Sequence, residues 1–479
     1  MRLLFVTPEV TPYSGASPVG DACWALPKAL KGRGHEVTIL APLYGFIDPA
    51  SRALARRLRK VTVSLGDEKC AFEVYDARTP AGIEVMFLGH ETLFRSCKSV
   101  PTGSDPEDGV RFAAFCKAAI EVARADEKGF DAIHCHDWPA ALVPVLAKLE
   151  QLELKTVLTV HDAKNQGLFG RELLPKVGLP SVLFSIDGLE FFGKACLLKG
   201  GILEADRVTT VSPSYARELT LEGGAAGLEG VFRQREKELT GITGGVDVAV
   251  WNPATDAHLE SRFDPMGLAG KQRSKAGLQR DLELPISDDV ALIGVVGALH
   301  PSTGLDALAR IIGRVMHNDV QVVVIAEGPP EDESLVTVLT EHARRWPDRL
   351  AVRTKPSDAL LHRALAGSDF AIVPPRSAPG ESMQMRAQRY GALPIGRATG
   401  AVADTVVDCD AKLTTGNGFL YPPAQGEAGN DEALLAAVQR AVSAYTKRPA
   451  FERVRARAMR ADLGWERAAY LYERLYESL

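Results

Sequence analysis

The stretch from Leu3 to Pro42 constrains the fold more than any other. An apolar run, Leu3 to Thr7, leads into a loop rich in Gly, Ser and Pro, from Pro12 to Gly20. A helical stretch follows from Asp21 to about Lys31, and Gly32 and Gly34 stop it. A second apolar run, Val37 to Pro42, comes next. Strand, helix, strand is a βαβ unit, which makes the two strands parallel and covers them with helices.

The rhythm continues at Ala132-Ile133-His134, Thr156 to Val160 and Val208 to Val211. It breaks around Gly244 to Asp247 and Trp251 to Pro253, then restarts at Val290 to Gly297, Val322 to Ile325, Leu350 to Val352 and Phe370 to Val373. The segment from Arg262 to Gln279 is polar and reads as a linker with an entering helix. The pattern predicts an α/β protein with two Rossmann-like, doubly wound domains, 1–248 and 249–462. A terminal helix, 463–479, carries apolar residues at helical spacing and packs back toward the N-terminal domain. A length of 479 residues suits this plan, and 46% apolar with 24% charged residues is ordinary for a soluble chain.

A formal charge of −5 excludes the broad basic footprint of a nucleic-acid binder. No apolar run reaches the roughly 18–20 residues of a membrane-spanning helix. The N-terminal run lacks a small-residue cleavage site and reads as a strand, not a signal peptide. Seven cysteines, spread thinly, read as buried thiols in a reducing compartment, so a cytoplasmic location is expected.

Ligands in doubly wound sheets bind beyond the carboxyl ends of the strands, so chemistry is expected in the loops there. One strand ends in His134-Cys135-His136-Asp137-Trp138 and another in His161-Asp162, followed by Gln166-Gly167. His-x-His-Asp is compatible with a metal. It equally fits alternate strand residues facing a polar crevice, and no further ligands stand at metal spacing. The Gly15 to Gly20 loop offers amides at a helix N-terminus, although Pro18 has none. In the second half the loops are Ala298 to Gly304, Arg376 to Gln384, and Thr399-Gly400 to Asp404, the last another candidate anion site.

Together these segments resemble bacterial glycogen synthase and plant starch synthase, retaining glycosyltransferases of GT-B architecture. The resemblance rests on His134-Cys135-His136-Asp137-Trp138, Thr159-Val160-His161 with Gln166-Gly167-Leu168-Phe169, and Leu198-Lys199-Gly200-Gly201-Ile202. It extends through Val208 to Glu218, Gly245-Val246-Asp247 with Trp251-Asn252-Pro253, Tyr390-Gly391, and Thr399-Gly400 to Val406. The resemblance implies two domains facing across a cleft. It implies transfer of glucose, usually from ADP-glucose, to the non-reducing end of an α-1,4-glucan, without a metal or other cofactor. His161 matches the family's donor-sugar histidine, and Asp21 and Asp137 line the same wall. Gln166, Gln384, Thr399 and Gly400 match donor- or acceptor-side positions.

The same alignment implies losses. The lysine of the family's Lys-Thr-Gly-Gly-Leu loop is Gly15. The arginine and lysine of Ser-Arg-Leu…Gln-Lys-Gly are Ala298 and Thr303. The glutamate of Glu-Pro-Cys-Gly-Leu-Thr-Gln is Ala378, and Glu381 adds a negative charge nearby; a family Asn is Gly244. The leaving diphosphate needs preorganised positive charge, and removing one such donor typically costs about a hundred- to a thousandfold in rate. The expectation is a synthase homologue that is inactive or severely impaired. It would bind α-1,4-glucan or maltooligosaccharide, or regulate glycogen metabolism beside an active synthase. Two alternatives stay open. One is an active transferase with a rebuilt diphosphate site or altered donor, using Thr399, Gly400 and a substitute cation such as Arg376, His300, Lys355 or Arg397. The other is a nucleotide-sugar sensor.

Overall fold

The structure, a computed structural model, describes every residue except 16, 299–302, 328–332, 374–375 and 377–378; the side chains of 298, 327 and 333 also lie outside the description. The chain folds as two compact units, Met1–Gly244 with Trp465–Leu479, and Gly245–Gly464.

In the N-terminal unit the first strand, Arg2–Val6, sits at the centre of the main sheet. Glu36–Pro42 flanks it on one side and Ala132–His136 on the other, both parallel. Leu3, Leu4, Phe5 and Val6 are fully buried, as a strand covered on both faces requires. The sheet continues through Lys155–Val160, Arg207–Thr210 and Leu239–Gly241 beyond one neighbour, and through Glu84–Gly89 beyond the other. Because the connections leave the first strand in opposite directions, a crevice opens between its carboxyl end and that of Ala132–His136.

Three further strands were not legible as part of a parallel sheet. Val61–Leu65 and Glu68–Arg78 form an antiparallel hairpin about Gly66, at φ +55°, and Glu68–Arg78 pairs antiparallel with Glu84–Gly89 and Ala55–Arg56.

The first helix is Pro18–Gly32, starting earlier than Asp21. Ser17 caps it by accepting the Val19 N–H, and Pro18 occupies the first turn, where its missing N–H costs nothing. The C-terminal helix, Trp465–Glu477, packs in this unit against the first helix. Its Glu473 accepts from His35 Nε2 at 3.0 Å and pairs with Arg33.

The C-terminal unit holds a six-stranded parallel sheet. Its order is Leu350–Thr354, Val320–Glu327, Ala291–Ala298, Phe370–Ile372, Leu393–Arg397 and Phe419–Tyr421. Its switch point lies between Ala291–Ala298 and Phe370–Ile372. The polar stretch before it becomes the helix Ala269–Asp281. Lys271 and Lys275 are buried there because they reach the Ser368 carbonyl at 2.6 Å and the Asp369 carboxylate at 2.8 Å. All seven cysteines are free thiols, six of them buried. Among the described residues no helix is long and apolar enough to cross a membrane.

Candidate functional site

The crevice of the N-terminal sheet gathers three histidines. His134 and His136 lie two residues apart on one strand and share a face, with ring centroids 4.3 Å apart. His134 is fully occupied: its Nδ1 lies 2.7 Å from the Tyr476 hydroxyl on the C-terminal helix, and its Nε2 lies 2.6 Å from Thr159 Oγ1. It is a structural residue. His136 Nδ1 meets His161 Nε2 at 3.1 Å, and His136 Nε2 is buried without a partner. Burial pushes His161 down to about 4 and, with the charge of His161, His134 down to about 3, so both rings are neutral at neutral pH. Among the described residues no group of three His, Cys, Asp or Glu is arranged to hold a metal.

Asp137 follows the strand at φ +55°, a left-handed conformation rare for a non-glycine residue. Its Oδ1 accepts the His161 N–H at 2.7 Å, which ties the two strand ends together. Burial pushes its carboxyl up to about 8, reinforced by the charges of Asp162 and Glu9 and opposed by amides of His161 and Asp162. Gln166 is turned to the protein: its amide donates to the carbonyls of Ala226 at 3.0 Å and Ala225 at 3.4 Å. Gly167, at φ +62°, lies so close to the Trp138 indole that a Cβ would meet Cε3 at 2.6 Å.

The Gly15 to Gly20 loop connects the first strand to the first helix, and the amides of Val19 and Gly20 at that helix start meet partners within the chain. Pro18 has no N–H, the Val19 N–H goes to Ser17 Oγ at 3.1 Å, and the Gly20 N–H goes to Ser17 O at 3.1 Å. Glu9, 4% exposed, accepts both the Ser17 N–H, at 3.2 Å, and the Ser17 hydroxyl. The chain's own carboxylate thus stands at this helix N-terminus. A Cβ at Gly15 would meet Thr11 Oγ1 at 2.1 Å, and Thr11 donates to Asp21 Oδ1 at 2.9 Å. Any side chain at 15 therefore forces Thr11 off Asp21. Sequence reasoning missed Glu9; the signal was a lone acid in the otherwise apolar opening of the chain.

The loops at the second switch point follow the same logic. Ala298 ends its strand and Thr303 accepts the Arg376 N–H at 2.8 Å, while Ala378 and His300 lie outside the described residues. Glu381 Oε1 accepts the amides of Ser382 at 2.7 Å and Met383 at 2.9 Å, so a second internal carboxylate fills the start of the helix Met383–Arg389. Gln384 is fully buried and donates to the Glu381 carbonyl at 2.7 Å and Thr405 Oγ1 at 3.2 Å.

At the candidate anion site of Thr399 and Gly400, one amide of the helix start is engaged within the chain. That helix, Gly400–Thr405, is only 6 residues long, and the Ala401 N–H goes to the Pro379 carbonyl at 2.9 Å. Of the candidate substitute cations, Arg376 is held by Glu427 at 3.0 Å and Asp306 at 3.7 Å. Lys355 is exposed. Arg397, at the end of Leu393–Arg397, keeps a buried Nε without a partner.

Residues 2–234 match the family described as starch synthase catalytic domain. The whole chain is 37% identical over 487 residues to a glycogen synthase of Anaeromyxobacter sp. (strain Fw109-5), covering 100% of this chain and 99% of that one. It is 35% identical to a glycogen synthase of Geotalea daltonii, covering 99% and 98%. Among solved structures it is similar to the catalytic domain of starch synthase IV from Arabidopsis thaliana bound to ADP and acarbose, with a TM-score of 0.88, 28% identity, and coverage of 100% and 99%. That likeness extends to the GT-B plan of two Rossmann-like α/β domains.

Proposed function

Since the chain belongs to the glycogen synthase family, we propose that it keeps the family's glucan-binding side and has lost most or all glucose transfer, serving as a glucan-binding or regulatory protein. One observation carries the reading: the helix starts that an anionic donor would use are filled from within. Glu9 holds Ser17 before the first helix, and Glu381 takes the amides of Ser382 and Met383. A diphosphate approaching either place meets a carboxylate instead of free amides and cations. Gly15, Ala298, Thr303 and Ala378 offer no cation or carboxylate in return. On the retained side, neutral His161 with its crevice partner Asp137 supplies hydrogen bonds suited to sugar hydroxyls. The donor considered is ADP-glucose; the ligand is an α-1,4-glucan.

The test is transfer of labelled glucose from ADP-glucose and UDP-glucose to glycogen at high protein concentration, against a His161→Ala variant. The proposal expects no turnover above that variant together with measurable maltooligosaccharide binding. Turnover that depends on His161 would reject it. It would favour a rebuilt site, for which Arg397, with its unpartnered Nε, is the cation to remove next.

A further inference from the structure

At the amino edge of the N-terminal sheet, the opposite end from the histidines, two cavities of about 430 Å³ and about 170 Å³ share Thr38, Glu84 and Phe130 as a common wall. Arg2, Glu36 and Glu84, each the first residue of its strand, mark this edge. The smaller chamber is floored by Val61, Val74, Met86 and Phe130. The larger is polar.

The charges around the pair do not balance. Arg2 takes Asp126, at 2.7 Å and 3.2 Å, and Glu36, at 3.2 Å. Arg57 takes Asp76, at 3.1 Å and 3.2 Å, and Glu84, at 2.6 Å. These two arginines therefore engage all four carboxylates lining the cavities. Lys31, Arg78 and Lys128 also line the larger chamber, and among the described residues none of them has a carboxylate partner. With Arg59 on the smaller chamber, six cations face four carboxylates across the pair, and this positive excess, with Lys31, Arg78 and Lys128 outside any ion pair among the described residues, attracts an anion; guanidinium and ammonium groups suit phosphate oxygens. Arg2 also covers the Phe130 ring at 5.0 Å, which fixes the wall between the apolar and the cationic chamber.

We propose that this paired cavity binds a nucleoside phosphate, with the phosphates among Lys31, Arg78 and Lys128 and the base on the apolar floor beside Phe130. It is a site separate from the histidine crevice and is independent of whether transfer survives.

Isothermal titration of the full chain with ADP, inorganic phosphate and adenosine tests it. ADP is expected to bind more tightly than phosphate or adenosine alone. In a Lys31→Ala, Arg78→Ala, Lys128→Ala variant its affinity falls roughly tenfold or more. Among the described residues these side chains hold no ion pair, so the variant's thermal unfolding stays that of the parent. Phe130→Leu weakens ADP and leaves phosphate unchanged. Unaltered ADP affinity in the triple variant, phosphate binding as tightly as ADP, or no ADP binding at millimolar ligand would each overturn the proposal. None of these outcomes bears on the labelled-glucose test, so the two readings fail separately.

Discussion

His136 Nδ1 and His161 Nε2 lie 3.1 Å apart, so two buried neutral imidazoles share one hydrogen bond. The tautomers follow from the one nitrogen left over. If His161 were the donor, His136 would bury an N–H at Nε2 with no acceptor; if His136 donates, only a bare acceptor is orphaned. Orphaned buried N–H groups are the rarer defect, so the arrangement favours His136 as donor and His161 with its proton on Nδ1. His161 then offers a ligand a hydrogen-bond donor whose direction is set by Asp137 and His136.

Replacing His161 with Ala leaves the His136 ring without a hydrogen-bond partner. The expected cost is about 1–2 kcal/mol in urea unfolding. Maltooligosaccharide affinity is expected to fall by roughly tenfold. Unchanged affinity with reduced stability would mean that His161 only supports His136.

The pH dependence has two opposed parts. His134 and His161 are held, first by burial, at about 3 and about 4, below the ordinary imidazole range. Their contribution to stability is complete above about pH 6.5 and is lost as the pH falls through those values. Asp137, held by burial at about 8, behaves oppositely. The fold favours its protonated form, so its contribution is complete below about pH 4 and lost as the pH rises toward 8. Asp137→Asn keeps an acceptor for the His161 N–H and removes the second part. Unfolding free energies from urea titrations between pH 5 and 8 are expected to decline in the parent by about 3–4 kcal/mol more than in the variant.

In the C-terminal unit, Asp369 is the test of the core. Burial alone would raise its carboxyl, but Lys275 at 2.8 Å and Arg455 at 2.7 Å hold it below the ordinary range. It also accepts the Leu292 N–H at 2.9 Å, tying two adjacent strands. Asp369→Asn leaves the buried Lys275 without its carboxylate and Arg455 with Glu452 alone, and the expected loss is about 3–5 kcal/mol by denaturant unfolding.

Glu381→Ala is expected to uncover the amides of Ser382 and Met383 and remove a charge. The helix loses about 0.5–1 kcal/mol of capping. Pyrophosphate affinity, read in the Lys31, Arg78 and Lys128 triple variant, rises roughly threefold to tenfold. No gain would mean that the internal carboxylate is not what closes this end to anions.

Particular residues show what could be read in advance. The apolar run Leu3 to Thr7 and the glycines after Lys31 are local signals, and the strands stand where such runs occur. The start of the first helix was misplaced because Ser17 and Pro18 act through a cap, which hydropathy does not report. The segment Arg262 to Gln279 reads as a linker with an entering helix, and the helix Ala269–Asp281 stands there; what its polar composition hides is that Lys271 and Lys275 are core residues, through their buried acceptors Ser368 and Asp369. The hairpin about Gly66 was hidden by its exposed alternate positions.

The sequence by itself determined the two α/β halves, the loops that carry His136, Asp137 and His161, and the uncharged residues that stand at Gly15, Ala298 and Thr303. These follow from short-range patterning and residue identity. Only the tertiary structure decided what the remaining polar groups do. Tyr476 reaches His134 across 342 residues of chain. Arg376 is drawn to Glu427 across 51. Glu9 and Glu381 turn back onto their own helix starts. Whether a charge is offered to a ligand or spent inside the protein depends on which partner lies within about 3 Å, and that distance is set by packing between segments remote in sequence.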